Sequence, residues 1–168
     1  MTEQEATKHF ETLDENPSAI AAAVWGLDDA TLRYKPSPEK WSIIEILAHL
    51  ADVELVWGYR VREAISGNQA KFAPFDQDEW ARGLQYQNTH AADALLLFQT
   101  NRQANLRLFR SLPVKELDRS GYHLKLQRNV SIAEIVERLV KHDKNHLGQI
   151  EALKEKAPRS TNPLETKT

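Results

Sequence analysis

The sequence contains no cysteine. That excludes a disulfide framework, a cysteine nucleophile and any thiolate-ligated zinc site. Glycine and proline are sparse, six and seven in 168 residues, and the prolines fall mainly between long periodic segments. No repeat or low-complexity stretch is visible. No apolar run approaches the ~20 residues of a membrane-spanning helix. A net charge of −2 gives no basic footprint for a nucleic-acid backbone. β-branched residues never alternate over a long run, so strand signals are poor. Met1 to Phe10 is polar and acidic, unlike a secretory signal. The expectation is a cytoplasmic protein with neither membrane nor nucleic-acid partners, built as one domain with a full core.

What is present is helical periodicity. Ala6, Phe10, Leu13, Pro17, Ile20, Val24 and Leu27 step by four and three, which is a helix seam. Pro17 interrupts it, so this helix either kinks or restarts with Asn16 as its cap. Arg33 to Lys40 is a connector. Ser42-Ile43-Ile44-Glu45 is a capping box, opening a second helix that runs to about Ser66, where Gly67-Asn68 stops it. A long connector follows to Asn88, with a short helix around Asp76 to Gly83. A third helix spans about Thr89 to Leu112. Residues 113–130 form a loop with a little extended structure. Ser131-Ile132-Ala133-Glu134 is a second capping box and opens a fourth helix, ending near Lys156. The domain is therefore 1–156, and 157–168 is a polar tail expected to be disordered. The second connector is long enough to traverse a helix, which permits an all-α, up-down-down-up four-helix bundle.

The chemistry concentrates on His142 and His146. Four residues apart on a helix, they share one face, a spacing at which two imidazoles can hold one metal. Both lie on the apolar seam of helix four: Ile132, Ile135, Leu139, His142, His146, Gln149, Leu153. His49 lies on the seam of helix two, with Ile46, Val53 and Val56. A buried imidazole needs a partner, and one shared metal would satisfy all three. Their heights agree if the two helices run antiparallel: His49 lies about 10 Å past its cap, and His146 about 15 Å before the helix end. The bland alternative is three hydrogen-bonded core histidines. His-Asp-x-x-His also approaches the zinc-protease motif, but aspartate is one methylene shorter than glutamate and no third ligand follows downstream. His9, His90 and His123 read as surface or loop residues.

Trp41-Ser42-Ile43-Ile44-Glu45 with His49-Leu50-Ala51-Asp52, followed by His142-Asp143 and His146-Leu147-Gly148-Gln149-Ile150, resembles the DinB-like superfamily and its YfiT-like metal-dependent hydrolases. The likeness runs from about Phe10 to Lys156. It implies an up-down-down-up bundle, often a homodimer. It also implies a divalent metal, zinc or nickel among others, held by residues matching His49, His142 and His146. Relatives include thiol-dependent S-transferases, which use a low-molecular-weight thiol, and a thiol-dependent maleylpyruvate isomerase. Glu54 stands where some members carry a further histidine.

Three neutral imidazoles leave coordination positions open for water or substrate. That allows a hydrolase, or a transferase whose thiol comes from a cofactor. Around them, Asp52, Glu45 and Asp143 are candidates to orient the ligands, with Asp143 and Glu45 preferred as solvated or helix-start charges. Asp52 and Arg102 are the candidate catalytic residues. Arg102 lies on the third helix's seam (Leu95, Phe98, Arg102, Phe109, Leu112), where it either clamps a carboxylate or thiolate cofactor or pairs with a core acid. Gln149 is a candidate hydrogen-bond partner. Trp25, Trp41, Trp57 and Trp80 read as core and end-cap packing. Two functions follow: an enzyme acting on a small molecule, by S-transfer or hydrolysis, or a non-catalytic metal-binding or dimerisation module in a stress response. An inward Arg102 near the metal favours the first; a tightly filled bundle end with no cavity favours the second.

Overall fold

The computed structural model describes residues 1–67 and 69–158. Asn68 and residues 159–168 of the expected tail lie outside the described residues; Ala157, where that tail is expected to begin, is instead buried and caps the last helix, its amide donating to the Leu153 carbonyl.

Helix α1, Glu3–Val24, is closed at its start by a capping box between Thr2 and Glu5. Pro17 lies inside it and does not end it. Proline has no amide hydrogen for the carbonyl four residues back, which here is Leu13. Arg102 Nη1 donates to that carbonyl at 3.0 Å, so the acceptor freed by the proline is used elsewhere. Asn16 is not a cap either; its amide donates across the bundle to Asp143 Oδ2 at 2.9 Å.

Gly26, at φ +74°, turns the chain after α1, and Trp25 is 88% exposed. It packs no core, contrary to expectation, because the helix ends one residue before it. A short helix α2, Asp29–Arg33, follows on Asp28, whose side chain accepts from the Thr31 amide. Its five residues are too few to show a period, so it reads as connector in the sequence.

Helix α3, Ile43–Ser66, has the full capping box between Ser42 and Glu45. The long connector then holds strand β1, Lys71–Phe72, helix α4, Gln77–Gly83, and a 3-10 turn, Tyr86–Asn88. Helix α5, Ala91–Ser111, is followed by a 3-10 turn and a hairpin of β2, Ser120–His123, and β3, Arg128–Ser131. Helix α6 is Ile132–Lys156.

The capping box expected at α6 is only half formed. Ser131 accepts from the Glu134 amide, but the Glu134 carboxylate turns to Arg128 and Arg138. Two charge-assisted partners outcompete one orphan backbone amide. The Arg128 hydrogen bonds first, then those from Arg138, hold the Glu134 carboxyl down at about 2.

The direction of each helix follows from two groups of core residues. One brings together Ala6 and Leu13 of α1, Val61 and Ala64 of α3, Leu106 and Phe109 of α5, and Ile132 and Val136 of α6. The other joins Ile20 and Val24, Ile43 and Ile46, Ala94 and Phe98, and Ile150 and Leu153. The start of α1 thus meets the ends of α3 and α5 and the start of α6. The order is up-down-down-up, with α3 and α5 parallel neighbours. Asn105 approaches α3 so closely that a Cβ on Gly58 would lie 2.3 Å from its Oδ1.

The strands form a three-stranded sheet in the order β1-β2-β3. β1 pairs parallel with β2, and β2 antiparallel with β3. This sheet ties the crossover to the loop before α6. No helix among the described residues is long and apolar enough to cross a membrane.

Candidate metal centre and its cavity

His49 sits in the second turn of α3, and His142 and His146 on either side of the middle of α6. Antiparallel helices bring all three to one level. His49 Nε2 is 3.0 Å from His142 Nε2, and His142 Nε2 is 3.1 Å from His146 Nε2. The three potential ligand nitrogens all lie within 4.8 Å of one another. A tetrahedral ion with metal–nitrogen bonds of about 2.0–2.1 Å separates its ligands by about 3.3 Å. The triangle needs little adjustment to accept one.

The protonation pattern points the same way. His146 Nδ1 lies 2.9 Å from Gln149 Oε1. An amide oxygen only accepts, so Nδ1 carries the hydrogen and the Nε2 lone pair faces the centre. His142 Nε2, between two other Nε2 atoms, can donate one hydrogen to only one of them. His49 Nδ1 and His142 Nδ1 are buried without a hydrogen-bond partner. At the centre, one hydrogen on His142 Nε2 cannot serve both contacts, whereas a cation would accept all three Nε2 lone pairs. Burial, then repulsion from His142 and His146, pushes the His49 pKa down to about 2. Burial, then His142, pushes that of His146 down to about 4. Both rings are neutral at pH 7, the form a metal requires.

Trp41 walls the cluster. Its ring meets His49 edge-on at 4.7 Å between centroids and stacks parallel to His146 at 6.3 Å. It is a wall of the site as well as an end-cap. Trp57 lines the neighbouring cavity, and Trp80 packs on Phe75.

Below the histidines lies a buried polar network. Asp143 is 1% exposed and is not the solvated charge that helical position alone suggests. Its carboxylate accepts from Arg102 at 2.7 and 3.2 Å and from Asn16. Burial pushes its pKa up, but the adjacent His142 and Arg102 outweigh that and the net shift is down. Arg102, fully buried, also donates to Glu54 Oε1 at 2.7 Å. Asn105 donates to Glu54 and accepts from Arg62. Of the two roles open to Arg102, the geometry is that of the core ion pair: both terminal nitrogens are engaged by protein acceptors.

Asp52 accepts a short hydrogen bond from Tyr86. Burial and this carboxylate raise the Tyr86 pKa. The contact pins the 3-10 turn of the crossover to α3. Glu45 is a buried helix-start charge, paired with Lys35 at 2.9 Å.

A cavity of about 510 Å³ opens beside the cluster, and both His49 and His142 line it. Its walls include Val53, Trp57, Phe72, Phe75, Val130 and Ile135, with Arg60, His123, Lys125 and Arg138 among its polar groups. A second cavity of about 500 Å³ reaches His146 from the other side, and Gln77 and Asp78 of α4 line both. His123 is therefore a cavity residue rather than a bystander. Arg60 and His123 had no sequence signal beyond Arg60 standing eleven positions after His49, at helical phase with it.

Comparison with known proteins gives a consistent set of likenesses. The family profile described as "DinB superfamily" matches residues 12–150. A Geobacillus thermodenitrificans protein named "Putative metal-dependent hydrolase" is 22% identical over 142 residues, covering 84% of this chain and 80% of that one. The Bacillus subtilis "Putative metal-dependent hydrolase YfiT" is 20% identical over 153 residues, covering 91% and 86%. The solved structure of that Bacillus subtilis protein, described as "a probable metal-dependent hydrolase with an unusual four-helix bundle topology", superposes with a TM-score of 0.87 over 93% of this chain and 89% of its own. At 20% identity that superposition speaks for the fold.

Proposed function

Since the chain belongs to the DinB superfamily, we propose that it is a metal-dependent hydrolase of a small molecule, with a divalent cation held by His49, His142 and His146. The observation that carries this reading is the convergence of three Nε2 atoms beside a cavity of about 510 Å³. Two of the three rings face that space, so a reactant can approach the centre. The relatives named above point to the same class. A non-catalytic module would have no use for such an opening.

A bound divalent metal supplies Lewis acidity and brings the ionisation of a water molecule to about pH 7. The chain's own residues do the rest. Gln149 fixes the His146 tautomer. Trp41 excludes water from one side of the rings. Asp143, locked by Arg102, holds the rotation of α6 that presents His142. Three imidazole donors would suit zinc or nickel and would leave coordination room for water or substrate. The same centre would hold a thiolate, so thiol-dependent S-transfer, assembly as a homodimer and a cytoplasmic site of action belong to the proposal's further arms.

The test is elemental analysis followed by activity. Purified protein is expected to carry about one divalent ion per chain, and His142→Ala to carry none. A panel of ester, amide and thiol-plus-electrophile reactions, run with and without added metal, separates hydrolysis from S-transfer. A wild-type protein that cannot be loaded with metal overturns the reading.

A further inference from the structure

The cavity holds a cation with no counter-ion. Arg60 is 7% exposed, yet among the described residues no carboxylate pairs with it. Its Nη2 donates to the Ala73 carbonyl at 2.6 Å. Its guanidinium carbon lies 5.9 Å from the Phe72 ring centre and 6.0 Å from that of Phe75. Contrast Arg102, fully buried, which has two carboxylates and a carbonyl. A buried charge without a partner is costly, and Arg60 lines the same cavity as His49 and His142.

The other charges around it do not neutralise it. Arg138 and Arg128 share the single carboxylate of Glu134. Lys125, also in the wall, has no ion-pair partner among the described residues. Asp76 is occupied in capping α4, where it accepts from the Asp78 and Glu79 amides. Asp78 lies on the α4 side, where the two cavities meet. The field is felt locally: burial first, then Arg60 and Arg138, pushes the His123 pKa down, and burial and Arg138 push that of Arg60 down.

The α3 face gives the spacing. His49, Val53, Trp57 and Arg60 all line the cavity and follow one another by about one helical turn. From His49 to Arg60 the helix rises about 16 Å, and the stretch between is apolar.

Resting on the metal-centre reading, we propose that Arg60 is the specificity residue for an elongated, amphiphilic substrate: an oxyanion such as a carboxylate at one end, an apolar body along Val53 and Trp57, and the reacting bond at the histidine end. A guanidinium presents paired donors to a carboxylate, and binding supplies the missing counter-charge.

The experiment uses full-length protein in metal-stripped and metal-loaded form. The probes are 6-phenylhexanoate and its neutral amide, followed by calorimetry and by the NMR titration of the His123 ring. Stripped wild type should bind the acid at least tenfold more tightly than the amide. The acid, and not the amide, should raise the His123 midpoint, because an anion stabilises the imidazolium. Arg60→Gln should abolish the acid's preference, and Arg60→Lys should retain part of it. If Arg60→Gln fails to fold, the wild-type His123 titration decides alone. Equal binding of acid and amide, no binding of either, or a preference that survives in Arg60→Gln overturns the proposal. A preference that appears only with metal, and ignores Arg60, also overturns it while leaving the metal centre standing. An Arg60-dependent preference in a protein that never loads metal supports Arg60 and sinks the metal centre instead.

Discussion

His49 Nε2 and His142 Nε2 stand 3.0 Å apart across 93 residues of sequence. With His146 Nε2 a further 3.1 Å from His142 Nε2, a single hydrogen on His142 can serve only one of its two neighbours.

Gln149 is exposed in the structure but bonded to His146. Gln149→Ala should therefore leave folding unchanged and weaken metal affinity about 10–100-fold, the range for loss of a group that orients a ligand. Competition with a chromophoric chelator measures it. Affinity within twofold of wild type would show that the Gln149 bond does not set the tautomer.

Arg102 neutralises Glu54 and Asp143 with all three buried. Arg102→Met strands two carboxylates in the core and should cost roughly 3–5 kcal/mol. In a domain of this size that lowers Tm on the order of 10 °C. Calorimetry checks it. A cofactor-clamping arginine would instead leave Tm nearly intact and change only ligand binding.

Gly58→Ala sets two effects against each other. Alanine favours helix over glycine by about 1 kcal/mol. Its Cβ, however, would fall 2.3 Å from Asn105 Oδ1, and Asn105 is held by Glu54 and Arg62, so moving it breaks those bonds. The clash should win, with a net loss of roughly 1–3 kcal/mol in chemical denaturation. A stabilised variant would mean that α3 and α5 separate freely.

The pH dependence of the metal-free protein has a fixed sign. His49 and His146 have folded pKa values lowered to about 2 and about 4, against about 6.5 in the unfolded chain. Above pH 6.5 both states are neutral and the stability is fully present. Below it the unfolded chain takes up protons that the folded one refuses, so stability falls as the pH drops from about 6.5 toward 4. Each such histidine contributes a slope of up to about 1.4 kcal/mol per pH unit. Urea melts of chelator-treated protein at pH 7, 6 and 5 should show declining midpoints. A flat profile would place these rings in water.

The bundle was legible because its signals are long. Four seams and the Ser42–Glu45 box mark the main helices within a few residues, and the long crossover permits the parallel pair. The histidine cluster was legible because polar residues stood on apolar seams. The misses at Asp143 and Pro17 share a cause, which is that partners distant in sequence decide them. Asp143 looks like a surface charge until Arg102 and Asn16 are packed against it. Pro17 looks like a break until Arg102 takes the Leu13 carbonyl. Glu134 looks like half a capping box until Arg128 returns through the hairpin. The two- to four-residue strands are too short for any period, so the sheet, and with it the far wall of the cavity, could not be read ahead.

The crossover carries a division of labour. The histidines stand on two of the long helices, whose cores hold them in register. Phe72, Phe75, Asp76, Gln77 and Asp78, which face them across the cavity, all come from the connecting segment that makes the parallel pair possible. One wall of the cavity is thus encoded apart from the helices that carry the histidines and Arg60. Rewriting the codons from β1 into α4 would reshape that wall while leaving the histidine-bearing helices untouched, a natural place for drift within a lineage and for a mutagenesis library.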